Sequence, residues 1–225
     1  MPAETTADRA ADREPLSKLL YKGTTAAHQA AEQTPFMLAM FQGRLSKDAY
    51  SRWLVRFHFV YAALEATSEA LRDDPAVGRL HLPELARTEA IERDLAYFHG
   101  RDWRDELSPS PGTDAYVARL RHVREEWPLG LVPHHWIRYA GYLHGGATLA
   151  KLLTTTYGLP EGEGMRFYDF ADIADPAAFI GDYHARMNAV PAGPGDIDAL
   201  VSEGTRAFEA NTAITTELGE EAGLS

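Results

Sequence analysis

The chain has 225 residues, of which 22 are basic and 33 acidic, so its formal net charge is −11. A hydrophobic content of 45% suffices for one substantial core. The excess of acidic residues and the lack of a Lys/Arg-rich run argue against a nucleic-acid-binding surface. The sequence has no cysteine, which excludes disulfides, thiolate metal sites and cysteine nucleophiles. No apolar run approaches the roughly 20 residues of a membrane span and no signal-peptide stretch is present, so we expect no membrane span and a cytoplasmic location.

Apolar residues recur with the 3.6-residue period of an α-helix through most of the chain, and no alternating strand pattern occurs. We therefore predict an all-α fold in which residues 14–220 form a single multi-helix domain and the polar residues 1–13 a disordered lead-in. The predicted helices run from Leu16 to a break at Pro35, from Ser46 to Leu71, from Glu84 to His99, from Asp114 past Val123, from His134 to Tyr157, from Pro176 to Val190 and from Ile197 to Leu218.

Three glycines, Gly141, Gly145 and Gly146, lie within the predicted helix from His134 to Tyr157. Each glycine costs a helix about 1 kcal/mol relative to alanine, so something must offset a few kcal/mol. The i, i+4 spacing places Gly141 and Gly145 on one face. That face serves either close packing against another helix or contact with a flat ligand that side chains would block.

His28 and Glu32 stand four residues apart in the first helix and can therefore meet on its surface. A histidine that ligates a metal commonly gives its other ring N–H to a carboxylate, which makes Glu32 a reasonable partner for His28. The alternative is an ordinary surface pair. The remaining histidines, among them His134 and His135, share no metal-ligand spacing, and we expect them at the surface or at helix ends.

Three stretches together resemble the haem oxygenase family. They are Ala27-His-Gln-Ala-Ala-Glu32 with Phe36-Met37, Tyr61-Ala-Ala-Leu-Glu65, and Arg138-Tyr-Ala-Gly-Tyr-Leu-His-Gly-Gly146. Further matches include Glu92-Arg-Asp-Leu-Ala-Tyr97, Gly158-Leu-Pro160, Arg186-Met-Asn188, and Phe208 with Asn211. The resemblance extends in register from about Leu16 to Leu218.

This resemblance implies a fold that holds haem b, as substrate and cofactor, between a proximal helix and a kinked, glycine-rich distal helix. It implies cleavage of haem to a biliverdin isomer, carbon monoxide and iron, with O2 and electrons from a ferredoxin or a flavin/NAD(P)H reductase. The implied roles are His28 as the iron ligand, Glu32 as its partner, Met37, His184 and Phe208 as haem contacts, Gly141 and Gly145 as close-approach glycines, and Tyr61, Arg138 and Asn211 as members of a distal water network.

The chain departs from the family pattern at two places. Tyr142 stands where the distal motif commonly has aspartate. At neutral pH a phenol is uncharged and cannot replace a carboxylate as a hydrogen-bond acceptor. It could hydrogen-bond the ligand on iron, ligate ferric iron as a phenolate, or rotate away, with His144 as a second candidate partner. Lysine or arginine is expected around the propionates at four positions that here hold Tyr21, Thr25, Ile180 and His184; the alternative anchors are Lys18, Lys22, His184 and Arg186.

Three alternatives remain open. The first is a haem protein of the same fold with altered chemistry, in which Tyr142 and His144 serve haem sensing, transfer or a specialised oxidation. The second is a non-haem di-iron oxidase, although no Glu-x-x-His motif occurs and His58 with Glu65 is the nearest arrangement. The third is a non-catalytic helical interaction protein.

Overall fold

A computed structural model describes residues 14–224, and within them every regular element is helical. The predicted lead-in 1–13 lies outside the described residues. No helix of the described part is long and apolar enough to cross a membrane. Residues 14–224 contain eight α-helices, which are α1 Leu16–Glu32, α2 Pro35–Phe41, α3 Lys47–Ala70, α4 Thr88–His99, α5 Pro111–Glu126, α6 Leu131–Tyr157, α7 Pro176–Asn188 and α8 Pro194–Glu221.

Local capping signals locate several helix ends where the sequence predicts them. The Ser46 hydroxyl accepts from the Ala49 backbone N–H at the start of α3, 3.1 Å away, which satisfies one of the free N–H groups of a first turn. Gly158 ends α6 with a φ of 60°, a left-handed conformation that glycine adopts without steric cost. Helix α6 is continuous, and the kink expected at its glycines stays a prediction.

Other boundaries differ from the predictions. Helix α4 begins at Thr88 rather than Glu84, because Glu65 of α3 accepts from the backbone N–H groups of Arg87 and Thr88 at 2.6 and 3.0 Å. Helix α2 was not predicted, since the sequence indicates only a break at Pro35. Helix α6 begins at Leu131, since Pro133 falls within its first turn, where the missing N–H is no loss.

Helix α1 packs along α8 through two glycines. A Cβ on Gly23 would collide with Val201 of α8, and a Cβ on Gly204 would lie 2.8 Å from Cγ2 of Thr24. These are glycines whose missing side chain lets two helix backbones approach. The close contact fixes the position of α1, which carries His28, relative to α8.

A buried ionic network joins α5, α6 and α8. Glu203 is fully buried and accepts from His134 at 2.8 Å and from Nε and Nη2 of Arg119 at 2.7 and 2.6 Å. Burial alone would raise the pKa of Glu203, but these partners outweigh it and lower the pKa to about 2. His134 and His135 were expected at the surface or at helix ends, and they lie in the first two turns of α6. A surface position is wrong for both, because both are buried, and Nδ1 of His135 lies 2.9 Å from the hydroxyl of Tyr183.

Candidate functional site

A cavity of about 690 Å³ opens between α1, α2, α3, α6 and α8. Most of its lining is apolar, and a few polar groups converge on it, as in small-molecule sites generally. Nine residues predicted from the sequence line it: His28, Glu32, Met37, Arg138, Gly141, Tyr142, Gly145, Phe208 and Asn211.

The glycine face of α6 forms one wall of this cavity. A Cβ built on Gly141 or on Gly145 would meet no atom within 4 Å, whereas a Cβ on Gly146 would lie 3.3 Å from Cδ1 of Tyr168. Gly141 and Gly145 therefore do not serve packing against another helix, in contrast to Gly23 and Gly204. They leave the helix backbone accessible to whatever occupies the cavity.

His28 lies on α1 at the edge of the cavity, and its side chain is 46% exposed. Its Nε2 atom lies 3.2 Å from a carboxylate oxygen of Glu32, and its ring stacks on Phe208 with centroids 5.0 Å apart. The predicted i, i+4 contact is thus present, and Phe208 restrains the ring on one side. One ring nitrogen faces the carboxylate, which leaves the other to act as a metal ligand.

Arg138 and Asn211 supply polar atoms to the cavity lining. Arg138 is buried with its guanidinium 5.1 Å from the ring of Phe57, and its Nε and Nη1 atoms find no hydrogen-bond partner in residues 14–224. The same holds for Oδ1 of Asn211 within that range. Buried polar atoms are normally paired, so these atoms are available to a ligand or to water in the cavity.

The Tyr142 ring occupies an aromatic corner of the cavity. Ring centroids of Phe167, Tyr168 and Trp53 lie 4.9, 5.8 and 6.4 Å from its own. Burial raises the pKa of Tyr142, and the nearby charge of Arg138 only partly opposes this. The side chain is therefore a neutral phenol at neutral pH, with one proton to donate.

Two predicted site residues lie outside the cavity lining. Tyr61 is fully buried, and its hydroxyl donates to the backbone carbonyl of Arg138 at 2.8 Å. It therefore stabilises the α6 backbone without lining the cavity. His184 is half-buried on α7, where burial first and then His144 lower its pKa. His144 bonds to the Ala140 carbonyl at 2.9 Å.

The alternative propionate anchors are likewise absent from the lining that the described residues form. Lys22 pairs with Glu14, and Arg186 pairs with Asp182 at 2.7 Å. Tyr21 is 61% exposed on α1. In this structure the cavity therefore offers Arg138 as its buried cation, and no lysine lines it within the described residues.

Sequence reasoning missed part of the cavity wall. Trp53 and Phe57 belong to the apolar stripe of α3, which in sequence looks like core, yet both line the cavity, as do Ile137, Leu149 and Leu152. A helix stripe that is apolar throughout gives no signal of where core ends and pocket begins. The proximity of the stripe to the glycine face could be found only from the fold.

The di-iron alternative finds no ligand set. His58 pairs with Glu92 at 3.2 Å, and Glu65 caps α4. Within the described part of the chain, no group of three or more His, Asp or Glu side chains could hold a metal ion. This contradicts the alternative, because di-iron sites need several inward carboxylates and histidines.

Comparison with known proteins agrees with this geometry. Residues 14–217 match the family described as "Heme oxygenase". The chain is 34% identical to heme oxygenase 1 of a Nostoc cyanobacterium over 203 residues, which is 90% of this chain and 85% of that protein. The structure superposes with a TM-score of 0.89 on heme oxygenase-1 of the cyanobacterium Synechocystis in complex with heme, at 34% identity over 93% of this chain and 94% of the other.

A second solved structure, the heme oxygenase of Leptospira interrogans, matches with a TM-score of 0.88 and 32% identity over 91% of this chain and all of that one. Sequence and fold thus agree over nearly the whole length of this chain and of each solved structure. The expected resemblance and the all-α class are both confirmed, and the chain belongs to the haem oxygenase family.

Proposed function

We propose that this chain cleaves haem oxidatively to a biliverdin isomer, with release of carbon monoxide and iron, using O2 and electrons from an external donor. The observation that carries the proposal is a cavity with a histidine on α1 and a helix face without side chains on α6. This combination suits a planar, metal-containing macrocycle, because the histidine could ligate the metal and the glycine face would let the α6 backbone approach the ring. The cavity volume lies within the roughly 300–1,000 Å³ of small-molecule sites.

We propose that His28 would ligate the haem iron. Glu32 would accept the ring N–H, which fixes the tautomer and raises the basicity of the ligating nitrogen. Phe208 stacks on the ring and limits its rotation. When haem is bound, its iron supplies the redox and oxygen chemistry, and the protein supplies position and protons.

We propose that the polar wall of the cavity opposite His28 is formed by Tyr142, Arg138 and Asn211. The raised pKa of Tyr142 disfavours a phenolate ligand and favours a phenol that donates a hydrogen bond to water or to a group in the cavity. The unpaired Arg138 and Asn211 atoms can orient that water. Met37 would contact the macrocycle. Tyr61 would act indirectly, by holding the Arg138 backbone.

A second candidate is a haem-binding protein of the same fold with altered chemistry. Two observations favour it: a phenol stands at the distal acid position, and neither His184 nor the lysines line the cavity as propionate anchors. Haem cleavage, the first candidate, needs an external electron donor. We propose a ferredoxin or a flavin/NAD(P)H reductase as donor and a cytoplasmic location.

The test is a hemin titration of the purified protein, followed by ascorbate in air while the visible spectrum is recorded. His28→Ala is compared with His122→Ala, which removes an exposed histidine of α5 outside the cavity lining. We expect a Soret band that needs His28 but not His122, and its decay into a broad red biliverdin absorption. A stable complex without decay would favour the second candidate, and equal binding by both variants would refute His28 as ligand.

A further inference from the structure

A buried carboxylate outside the cavity lining holds the segment that carries the aromatic corner around Tyr142. Asp94 of α4 is fully buried and does not line the cavity. One of its oxygens accepts from the backbone N–H of Arg166 at 2.9 Å, and the other accepts from that of Phe167 at 2.8 Å. Both oxygens therefore bind the single helical turn Arg166–Tyr168, which we call the aromatic turn.

The aromatic turn packs directly against Tyr142 and its helix. The ring centroids of Phe167 and Tyr168 lie 4.9 and 5.8 Å from that of Tyr142. Tyr168 also contacts the next turn of α6, where a Cβ on Gly146 would be 3.3 Å from its Cδ1 atom. A shift of the aromatic turn would therefore change the space in which the Tyr142 ring is held.

Asp94 has a fixed position from which it holds this turn. Glu65 of α3 accepts from backbone N–H groups at the start of α4, and Leu95 of α4 is completely buried. Just beyond the aromatic turn, Arg87 donates to the carbonyl of Asp169. The turn is thus tied to α4 and to the residue before it, and Asp94 provides the two bonds at its start.

The charge of Asp94 is costly where it lies. Burial raises its pKa to about 6, although the bonds from Phe167 and Arg166 act to lower it. The charge of Arg166 also lowers this pKa and that of Glu163 raises it, while Asp94 in turn raises the pKa of Tyr50 on α3. At neutral pH the carboxyl is therefore ionised, and its buried charge lowers the stability of the fold. Its bonds account for the charge, since an amide in its place has one acceptor oxygen for two N–H groups.

We propose that Asp94 is a positioning residue that fixes the Tyr142 ring within the cavity through the aromatic turn. The proposal rests on the proposed function, which places Tyr142 on the wall opposite His28. An ionised carboxylate holds both backbone N–H groups strongly, because hydrogen bonds to a charged acceptor are stronger than neutral ones. Protonation leaves a hydroxyl that faces a donor, so the bond at that oxygen is weakened. The setting of Tyr142 should therefore change as Asp94 gains or loses its proton.

The first test uses the haem-free protein. Near-UV circular dichroism reports on aromatic packing, and the amide NMR signals of Arg166 and Phe167 report on the two bonds. Both should change with a midpoint at about pH 6. Asp94→Asn should abolish this change and melt within a few degrees of the parent at neutral pH, because the amide loses one bond but avoids the buried charge. Glu89→Gln, which removes a carboxylate of α4 that is 79% exposed, should keep the change.

Two results of this test would refute the proposal. One is that the amide signals of Arg166 and Phe167 do not titrate in the parent, and the other is that the near-UV change survives Asp94→Asn. The NMR titration needs no variant, so it decides the question even if Asp94→Asn does not fold.

The second test asks whether Asp94 acts through Tyr142. Azide is an anionic ligand of ferric hemin that the Tyr142 hydroxyl can stabilise with a hydrogen bond, so Tyr142→Phe should weaken azide binding roughly tenfold. Asp94→Asn should weaken it roughly threefold or more on its own and leave it unchanged in the Tyr142→Phe background. Effects that add in the double variant would show that Asp94 acts elsewhere, and they would overturn the proposal.

Azide binding requires bound hemin but not its cleavage. If the parent binds hemin without degrading it, the proposed cleavage fails, and the double-mutant cycle still decides the role of Asp94. If the parent does not bind hemin, the proposed function fails as a whole, and the haem-free titrations decide whether Asp94 positions the aromatic turn.

Discussion

Replacing Gly145 with alanine is expected to stabilise the ligand-free protein and at the same time to weaken haem binding. The Cβ would meet no protein atom within 4 Å, so the only effect on the folded chain is the gain in helix propensity. That gain is about 1 kcal/mol, which corresponds to a rise in melting temperature of about 2–4 °C for a chain of this size.

The effect on binding has the opposite sign because the new methyl group enters the cavity. Inserting a methyl into a tightly filled contact costs about 1–3 kcal/mol, or roughly 5- to 150-fold in Kd. Gly146→Ala is the matched control on the same helix, since its Cβ would press on Tyr168, 3.3 Å away, rather than point into open space. We expect no gain in its melting temperature.

Thermal unfolding of the haem-free variants and a hemin titration measure the two effects separately. A lower melting temperature for Gly145→Ala would show that the glycine serves helix packing after all. A higher melting temperature with unchanged hemin affinity would show that the α6 backbone does not approach the macrocycle, and it would refute the role assigned to Gly145.

Three further predictions concern stability. Glu203→Gln should cost about 3 kcal/mol in urea unfolding because it leaves the buried His134 without its carboxylate; a loss below about 1 kcal/mol would contradict this. Burial raises the pKa of Asp94 to about 6, so the carboxyl group binds its proton more tightly in the folded state than in the unfolded chain. The free energy of unfolding should therefore fall by ~3 kcal/mol as the pH rises from about 4 to about 6. Asp94→Asn should remove this pH dependence. Tyr61→Phe should lower stability by about 1 kcal/mol through the lost bond to the Arg138 carbonyl, and a large fall in hemin affinity would instead place Tyr61 in the cavity.

Local signals account for what the sequence predicts well. The periodic apolar residues locate the long helices, the Ser46 cap marks the start of α3, and the four-residue spacing of His28 and Glu32 predicts their contact. Each of these features depends on residues within one or two helical turns. The same is true of Gly141 and Gly145, whose common face follows from helix geometry alone.

Long-range pairs account for what the sequence does not predict. Glu203 meets His134 across 69 residues, and Asp94 accepts from the Phe167 N–H across 73. A carboxylate that ends in the core looks in sequence like one that faces solvent, since only the fold supplies its partners. For this reason the burial of His134 near the start of α6 was not predicted, and the start of α4 was placed four residues early.

Three residues of helix α8 make separate contacts, and all three depend on the same helical register. Glu203 holds α6, Phe208 stacks on His28, and Asn211 lines the cavity, all within three turns. One inserted or deleted residue rotates everything beyond it by about 100°, so a length change between Glu203 and Phe208 would separate the ionic anchor from both cavity groups together. The length of this segment is therefore as restricted as its composition, and tolerated insertions should be confined to the connections between helices.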